Sequence, residues 1–197
     1  MEESTDASVL TTSLGEPQVF AAIYDRHAAV LFRFLVRRVG RDTADELLGE
    51  TFRVAFQRRG SFDTRHPSAR PWLFGIATNL LAKHRRGEAR RLRALSRLGA
   101  DAPEGVADRV AARVDAEMRW RRVGEAIAEL PAAERDALLL HVWEGLTYDE
   151  VGAALGIPTG TVRSRLNRAR QRLRELDMPG GEEPHSDRAP ARGRIGP

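Results

Sequence analysis

The sequence predicts an all-α fold: two small helical domains joined by a flexible linker, the second built around two crossing helices. Three observations predict it. Apolar residues recur at the helical period through 18–97 and again through 118–176. No segment shows convincing strand alternation. Between the two periodic stretches, Gly99-Ala-Asp-Ala-Pro-Glu-Gly105 has linker composition. The expected limits are an acidic disordered arm over 1–17, a first domain over 18–97, a linker over 98–117, a second domain over 118–176 and a disordered tail over 177–197. The arm holds four acids, no base and no periodicity; the tail has eight Gly or Pro among 21 residues.

In the first domain, Phe20, Ile23, Tyr24, His27, Leu31, Phe34, Leu35 and Val39 share one helical face, and Gly40 closes that helix. The next helix is expected to start at Thr43, with Glu46 completing a capping box, and to bury Ala44, Leu47, Leu48, Phe52, Ala55 and Phe56. After a loop over 61–70, Pro71 opens a third helix at its first position, where its missing N–H costs nothing. That helix presents Leu73, Ile76, Ala77 and Leu80 and runs into Arg-rich sequence. The second domain reads as four helices: 118–129, 132–144, 148–155 and about 161–176.

Composition narrows the function. The chain has 197 residues, is 42% hydrophobic and 30% charged, and contains no cysteine. Disulfides, thiol nucleophiles, iron–sulfur clusters and Cys-rich zinc sites are therefore excluded. No apolar run approaches the roughly 18 residues of a membrane span, and the acidic start lacks a signal peptide's pattern, so a soluble cytoplasmic protein is expected. The net charge is only +4, yet all but one of the 32 basic side chains are Arg, the exception being Lys83. Segments 83–97 and 161–176 carry +6 and +5, so the remainder is net acidic. The modest total is a cancellation, and its basic parts point to an anionic polymer.

The most specific motif spans Leu146 to Leu166. Thr147 and Glu150 form a capping box, Gly156 supplies a left-handed turn residue, Pro158 stops the preceding helix, and Thr159 or Thr161 caps the next. Val151, Ala154, Leu155, Ile157, Val162 and Leu166 are spaced to form the core of a helix-turn-helix. On the second helix, Val162, Leu166, Ala169, Leu173 and Leu176 take one side; Arg163, Ser164, Asn167, Arg168, Gln171 and Arg174 take the other. Arg bonds guanine and Asn bonds adenine in bidentate fashion, so Arg163, Ser164, Asn167 and Arg168 are candidate base readers. Arg165, Arg170 and Arg172 lie at the margins, suited to phosphates.

In the first domain, Trp72, Asn79, Lys83, Arg86 and Arg90 come round to a similar face, preceded by the polar loop 62–70 with Arg65. A cationic surface with aromatics beside it suits single-stranded or opened nucleic acid, and the loop suits an extruded base. Trp72 is equally readable as core, and a basic helix end also complements the helix dipole. Asp45, Glu46 and Glu50, with Arg53 further along, form an exposed acidic face. The dipole explains such acids as well as a protein-docking surface does. The five histidines show no metal-ligand spacing, and no nucleotide-binding or nucleophile motif is present. No cofactor and no catalytic constellation are expected.

The chain resembles the bacterial RNA polymerase sigma factors of the sigma-70 family, in particular the small extracytoplasmic-function (ECF) type. Three segments carry the likeness: Ala44-Asp-Glu-Leu-Leu-Gly-Glu-Thr-Phe52, Pro71-Trp-Leu-Phe-Gly-Ile-Ala-Thr-Asn-Leu80, and Leu130-Pro-Ala-Ala-Glu-Arg135 with the helix-turn-helix through Arg170. The resemblance implies that Asp45, Glu46, Glu50 and Arg53 face core RNA polymerase. It implies that Arg65, Trp72, Asn79, Lys83, Arg86 and Arg90 hold the opened minus-ten element of promoter DNA. Thr161, Arg163, Ser164, Arg165, Asn167, Arg168 and Arg170 would then read the minus-thirty-five duplex. It also implies regulation by an anti-sigma protein. Gly49 departs from the family, which commonly has Gln there. Twenty linker residues reach at most about 66–72 Å, and about twenty base pairs span roughly 68 Å. A helix-turn-helix regulator that never joins polymerase is the competing reading.

Overall fold

Helices supply the regular structure of residues 4–97 and 124–175, which are those the computed structural model describes. In chain order they are α1 (Asp6–Thr12), α2 (Ala21–Val39), α3 (Arg41–Arg58), α4 (Arg70–Arg97), α5 (124–129), α6 (Ala132–Val142), α7 (Tyr148–Leu155) and α8 (Thr159–Glu175). Short 3-10 turns at Pro17–Phe20 and Arg59–Ser61 lead into α2 and out of α3. The linker 98–117, the expected helical residues 118–123, Leu176 and the tail 177–197 lie outside the described residues.

The first helical group is α1–α4, with α2, α3 and α4 packed on one another. Ile23, Leu31, Phe34 and Leu35 of α2 meet Ala44, Phe52 and Ala55 of α3 and Leu73, Phe74, Ala77 and Leu81 of α4. The Phe34 and Phe74 rings cross edge to face at 4.9 Å. Each fully buried side chain of this size contributes roughly 1.5–3 kcal/mol.

Three expectations for this group need correcting. The acidic segment 1–17 is not a disordered arm throughout. Thr5 caps α1 by accepting the Ser8 N–H at 3.2 Å, and Val9 and Leu10 enter the core at 4% and 1% exposure. A helix of 7 residues is too short to display a period, and its acid, Asp6, is buried in ion pairs rather than solvated. Second, α3 begins at Arg41, so the Thr43–Glu46 capping box does not form. Gly40, at φ 77°, gives its N–H to Val36 and its carbonyl to Ala44, ending one helix and starting the next. Third, the apolar stripe of α4 is wider than its period suggests: every residue from Leu73 to Thr78 is buried.

The reason is a second covering. α7 packs directly on α4. A Cβ at Gly75 would sit 2.5 Å from the Ala154 carbonyl oxygen, so only glycine admits this approach. Around the contact, Arg38 of α2 bonds Asp136 of α6 at 3.0 Å with its side chain 3% exposed. Burial pushes the Arg38 guanidinium down to about 10, Asp136 opposing. Arg70 of α4 donates to the Glu144 carbonyl at 2.6 Å. Arg37 and Arg70 flank the Glu144 carboxylate at 3.8 Å each, and burial raises that carboxyl above its ordinary value against their pull. The two helical groups thus share an interface that each domain's own sequence pattern does not reveal.

Candidate nucleic-acid interface

The helix-turn-helix forms as its turn chemistry dictates. Glu150 accepts the Thr147 N–H at 2.8 Å while Thr147 Oγ1 accepts the Glu150 N–H at 3.3 Å. Gly156 takes φ 64° and returns its N–H to Gly152. Gly152 is itself required by close approach, since a Cβ there would lie 2.9 Å from the Ile157 carbonyl. α8 starts at Thr159, before Thr161; the Thr159 hydroxyl donates to Asp149 at 2.6 Å and ties the two helices at their N-termini. His141 Nδ1 donates to the Leu146 carbonyl at 2.8 Å and its ring meets Tyr148 at 4.8 Å, so this histidine holds the α6–α7 turn.

Val162, Leu166 and Ala169 are fully buried, mainly toward α6 and α7. Arg163, Ser164, Asn167 and Arg168 are exposed; Thr161, Arg165 and Arg170 are half-buried beside them. The Ser164 hydroxyl donates back to the Thr161 carbonyl at 2.9 Å. Arg168 and Arg172 each present Nε to Glu134 of α6, at 3.3 and 3.1 Å. Glu134 is 7% exposed, so a buried carboxylate anchors the C-terminal half of the cationic face. Arg163 and Asn167 project from the N-terminal half.

On α4, Asn79, Lys83, Arg86 and Arg90 are all exposed, at spacings of four, three and four residues. Trp72 is half-buried, its ring 5.3 Å from Phe62, so it is part core and part surface. Arg65 stands 88% exposed and is held by Asp63 through bonds of 2.6–3.1 Å. Those bonds hold the Asp63 carboxyl at about 2. The candidates of this group therefore lie along one helix and on the loop that feeds it.

On α3, Asp45, Glu46 and Arg53 are exposed and Glu50 partly so. Glu50 accepts two bonds of 2.6 Å from Arg53. Arg53, and secondarily the field of Lys83, keep its carboxyl below the usual range. The acidic face of α3 thus adjoins the cationic face of α4. A Cβ at Gly49 would meet nothing within 4 Å, leaving that position open to solvent.

Sequence reasoning missed Asp6, Glu134 and Gly75. Asp6 and Glu134 look like ordinary first-turn acids until long-range partners bury them, and Gly75 sits inside a regular helical pattern. Among the described residues, no group of three or more His, Cys, Asp or Glu side chains could hold a metal ion, and no helix is long and apolar enough to cross a membrane.

Comparison with known proteins supplies a context for this geometry. Residues 23–91 match the family model for sigma-70 region 2, and residues 120–173 that for sigma-70 region 4. The chain is 33% identical over 171 residues to the ECF RNA polymerase sigma factor SigL of Mycobacterium tuberculosis, covering 85% of this chain and 94% of that one. It is 31% identical over 167 residues to the ECF RNA polymerase sigma factor SigK of a Mycobacterium species, covering 83% and 86%. Among solved structures, the sigma factor RpoE of Bartonella quintana, determined in complex with the anti-sigma factor NepR, superposes with a TM-score of 0.62 at 28% identity over 80% of this chain and 95% of that one. CnrH, in complex with the cytosolic domain of CnrY, shares the fold at a TM-score of 0.60 and 24% identity over 87% and 96%.

Proposed function

Since the chain belongs to the sigma-70 family of RNA polymerase sigma factors, in its ECF group, and so directs transcription initiation, we propose that it works through three surfaces. The acidic face of α3 docks on core polymerase through Asp45, Glu46 and Glu50, with Arg53 orienting Glu50. The loop 62–70 and the α4 face of Trp72, Asn79, Lys83, Arg86 and Arg90 hold the opened minus-ten strand, Arg65 exchanging Asp63 for a phosphate. α8 lies in the major groove of the minus-thirty-five duplex. Arg163, Ser164 and Asn167 face its bases, Thr161 lies at the helix entry, and Arg165 and Arg170 grip phosphates; Arg168 reads from its anchor on Glu134.

The role is one of binding in the cytoplasm, with no reaction catalysed by this chain and no cofactor. An anti-sigma protein is the expected regulator, as the RpoE complex suggests by its composition.

The observation that carries this reading is the adjacency of an acidic and a cationic face on α3 and α4, beside a separate duplex-reading helix. A regulator that only binds duplex DNA needs the last alone. The double substitution Glu46→Lys with Glu50→Lys is expected to weaken core polymerase association at least tenfold in a fluorescence titration, while minus-thirty-five duplex binding stays unchanged. Unaltered polymerase affinity would remove the docking face.

A folded body of about 150 residues has a radius of gyration near 15 Å, and α4 is about 42 Å long. At separations approaching roughly 68 Å, two elements cannot both be held with α7 seated on α4. Engagement at such a separation requires α7 to leave α4.

A further inference from the structure

Two ties join α1 to the segment that connects α3 with α4. At its start, Arg59 Nε donates to the Ser13 carbonyl at 3.2 Å, and Leu14 lies over Gly60. At its end, Asp6 Oδ2 accepts the Ala69 N–H at 2.9 Å. Ala69 is fully buried, and its carbonyl receives the Leu73 N–H at 2.9 Å, so Ala69 stands at the N-terminus of α4. Ser68 Oγ lies 3.5 Å from the same carboxylate oxygen and accepts the Arg70 N–H at 3.2 Å. A carboxylate that reaches α4 from 63 residues away thus does what a local cap does elsewhere: it satisfies an orphan N–H and faces the positive end of the helix dipole.

The carboxylate is itself held firmly. His27 Nε2 is 2.7 Å from Oδ2, and Arg26 Nη1 donates to Oδ1 at 2.9 Å. Arg26 Nη2 also donates to Ser4 Oγ at 3.1 Å. Burial pushes the Asp6 carboxyl up, but the bonds from His27, Ala69 and Arg26 outweigh it and hold it well below its ordinary value. Val9 and Leu10 fix the other face of α1 in the core. The loop between the ties carries Arg65 and begins at Phe62, whose ring rests on Trp72.

We propose that α1 is a clamp on the loop 62–69, and that Asp6 is a positioning residue for minus-ten strand recognition: it sets where the loop enters α4 without touching DNA. This rests on the minus-ten assignment above. A strand whose base leaves the stack must be met by a loop already in place, because ordering eight loop residues on binding costs affinity. The clamp removes that cost in the free protein.

The experiment measures holoenzyme, assembled from core polymerase and the full chain, binding a labelled single-stranded minus-ten oligonucleotide. Asp6→Ala is expected to lower strand affinity about tenfold, with core polymerase affinity within twofold of the parent. Asp6→Asn keeps an oxygen for the Ala69 N–H and should recover to within about threefold. Hydrogen exchange should show the 62–69 amides, Ala69 foremost, losing protection in Asp6→Ala while α2 and α3 keep theirs. Unchanged strand affinity in Asp6→Ala overturns the proposal, as does an equal loss of core affinity, or Asp6→Asn no better than Asp6→Ala. If the parent holoenzyme itself fails to select the strand, the minus-ten assignment falls and takes the clamp's purpose with it.

Discussion

α4 and α8 both carry a cationic face, but they divide it differently. α8 is split along its sides: Val162, Leu166 and Ala169 are buried on one flank while Arg163 and Asn167 stand exposed on the other. α4 is split along its length: 73–78 is buried all round, and the exposed cations follow from Lys83 onward. A side-divided helix fits lengthwise into a groove, which is what duplex reading requires. A length-divided helix offers a buried stem, a loop at its entry and a charged extension, which suits a strand leaving its duplex. On the proposed assignments, one chain separates duplex and single-strand recognition through how it buries two helices of similar charge.

The largest test of that contrast acts on what covers α4. Asp136→Ala leaves the buried Arg38 without its carboxylate, a loss of about 3–5 kcal/mol for a broken buried pair. Separation of the two groups lets Arg38 rehydrate, so the radius of gyration in solution scattering should rise. Binding to a promoter with both elements should be retained or strengthened. An unchanged radius would mean that α7 stays on α4 without this pair.

A smaller effect sharpens the α8 side. Arg163→Ala or Asn167→Ala should each cost about 1–3 kcal/mol of selective minus-thirty-five binding, measured against random duplex, with minus-ten strand binding unaffected. Equal losses on both duplexes would assign these residues to phosphates instead.

The smallest effect is a pH dependence of opposite sign in the two groups. Asp6 sits below its ordinary 3.8, so its contribution is full above that value and lost as pH falls through and below it. The Tm gap between the parent and Asp6→Asn should close on acidification over that range. Glu144 sits above its ordinary 4.5, so its ionised form costs stability, increasingly as pH rises from 4.5 through the raised value. Glu144→Gln should be the more stable chain at neutral pH, its advantage vanishing in acid. Parallel pH profiles for the two variants would contradict the opposed environments.

What the sequence reveals and what it hides follow one division. The helix-turn-helix was legible because its determinants are local: Thr147 with Glu150, Gly156, Pro158, and core positions within twenty residues. The exposed faces of α3, α4 and α8 were legible from their period. Hidden were features that depend on residues distant in the chain. Asp6 reads as one acid of a polar arm until Ala69, 63 residues on, supplies its partner. The burial of 73–78 depends on Ala154 of α7 meeting Gly75. Thr43 and Glu46 have capping-box spacing, yet Gly40 had already started the helix, so a strong local signal was overridden by a turn three residues earlier. Glu134 reads as a helix-start acid until Arg168 and Arg172, more than thirty residues later, converge on it.

The central claim is that this chain gives core polymerase its promoter selectivity through two DNA surfaces. Run-off transcription with purified core polymerase tests it most directly, on templates with both elements intact, the minus-ten element scrambled, or the minus-thirty-five element scrambled. A discrete transcript is expected from the intact template only when the chain is present, reduced by either scramble. Promoter binding by the chain with no selective transcript would contradict it.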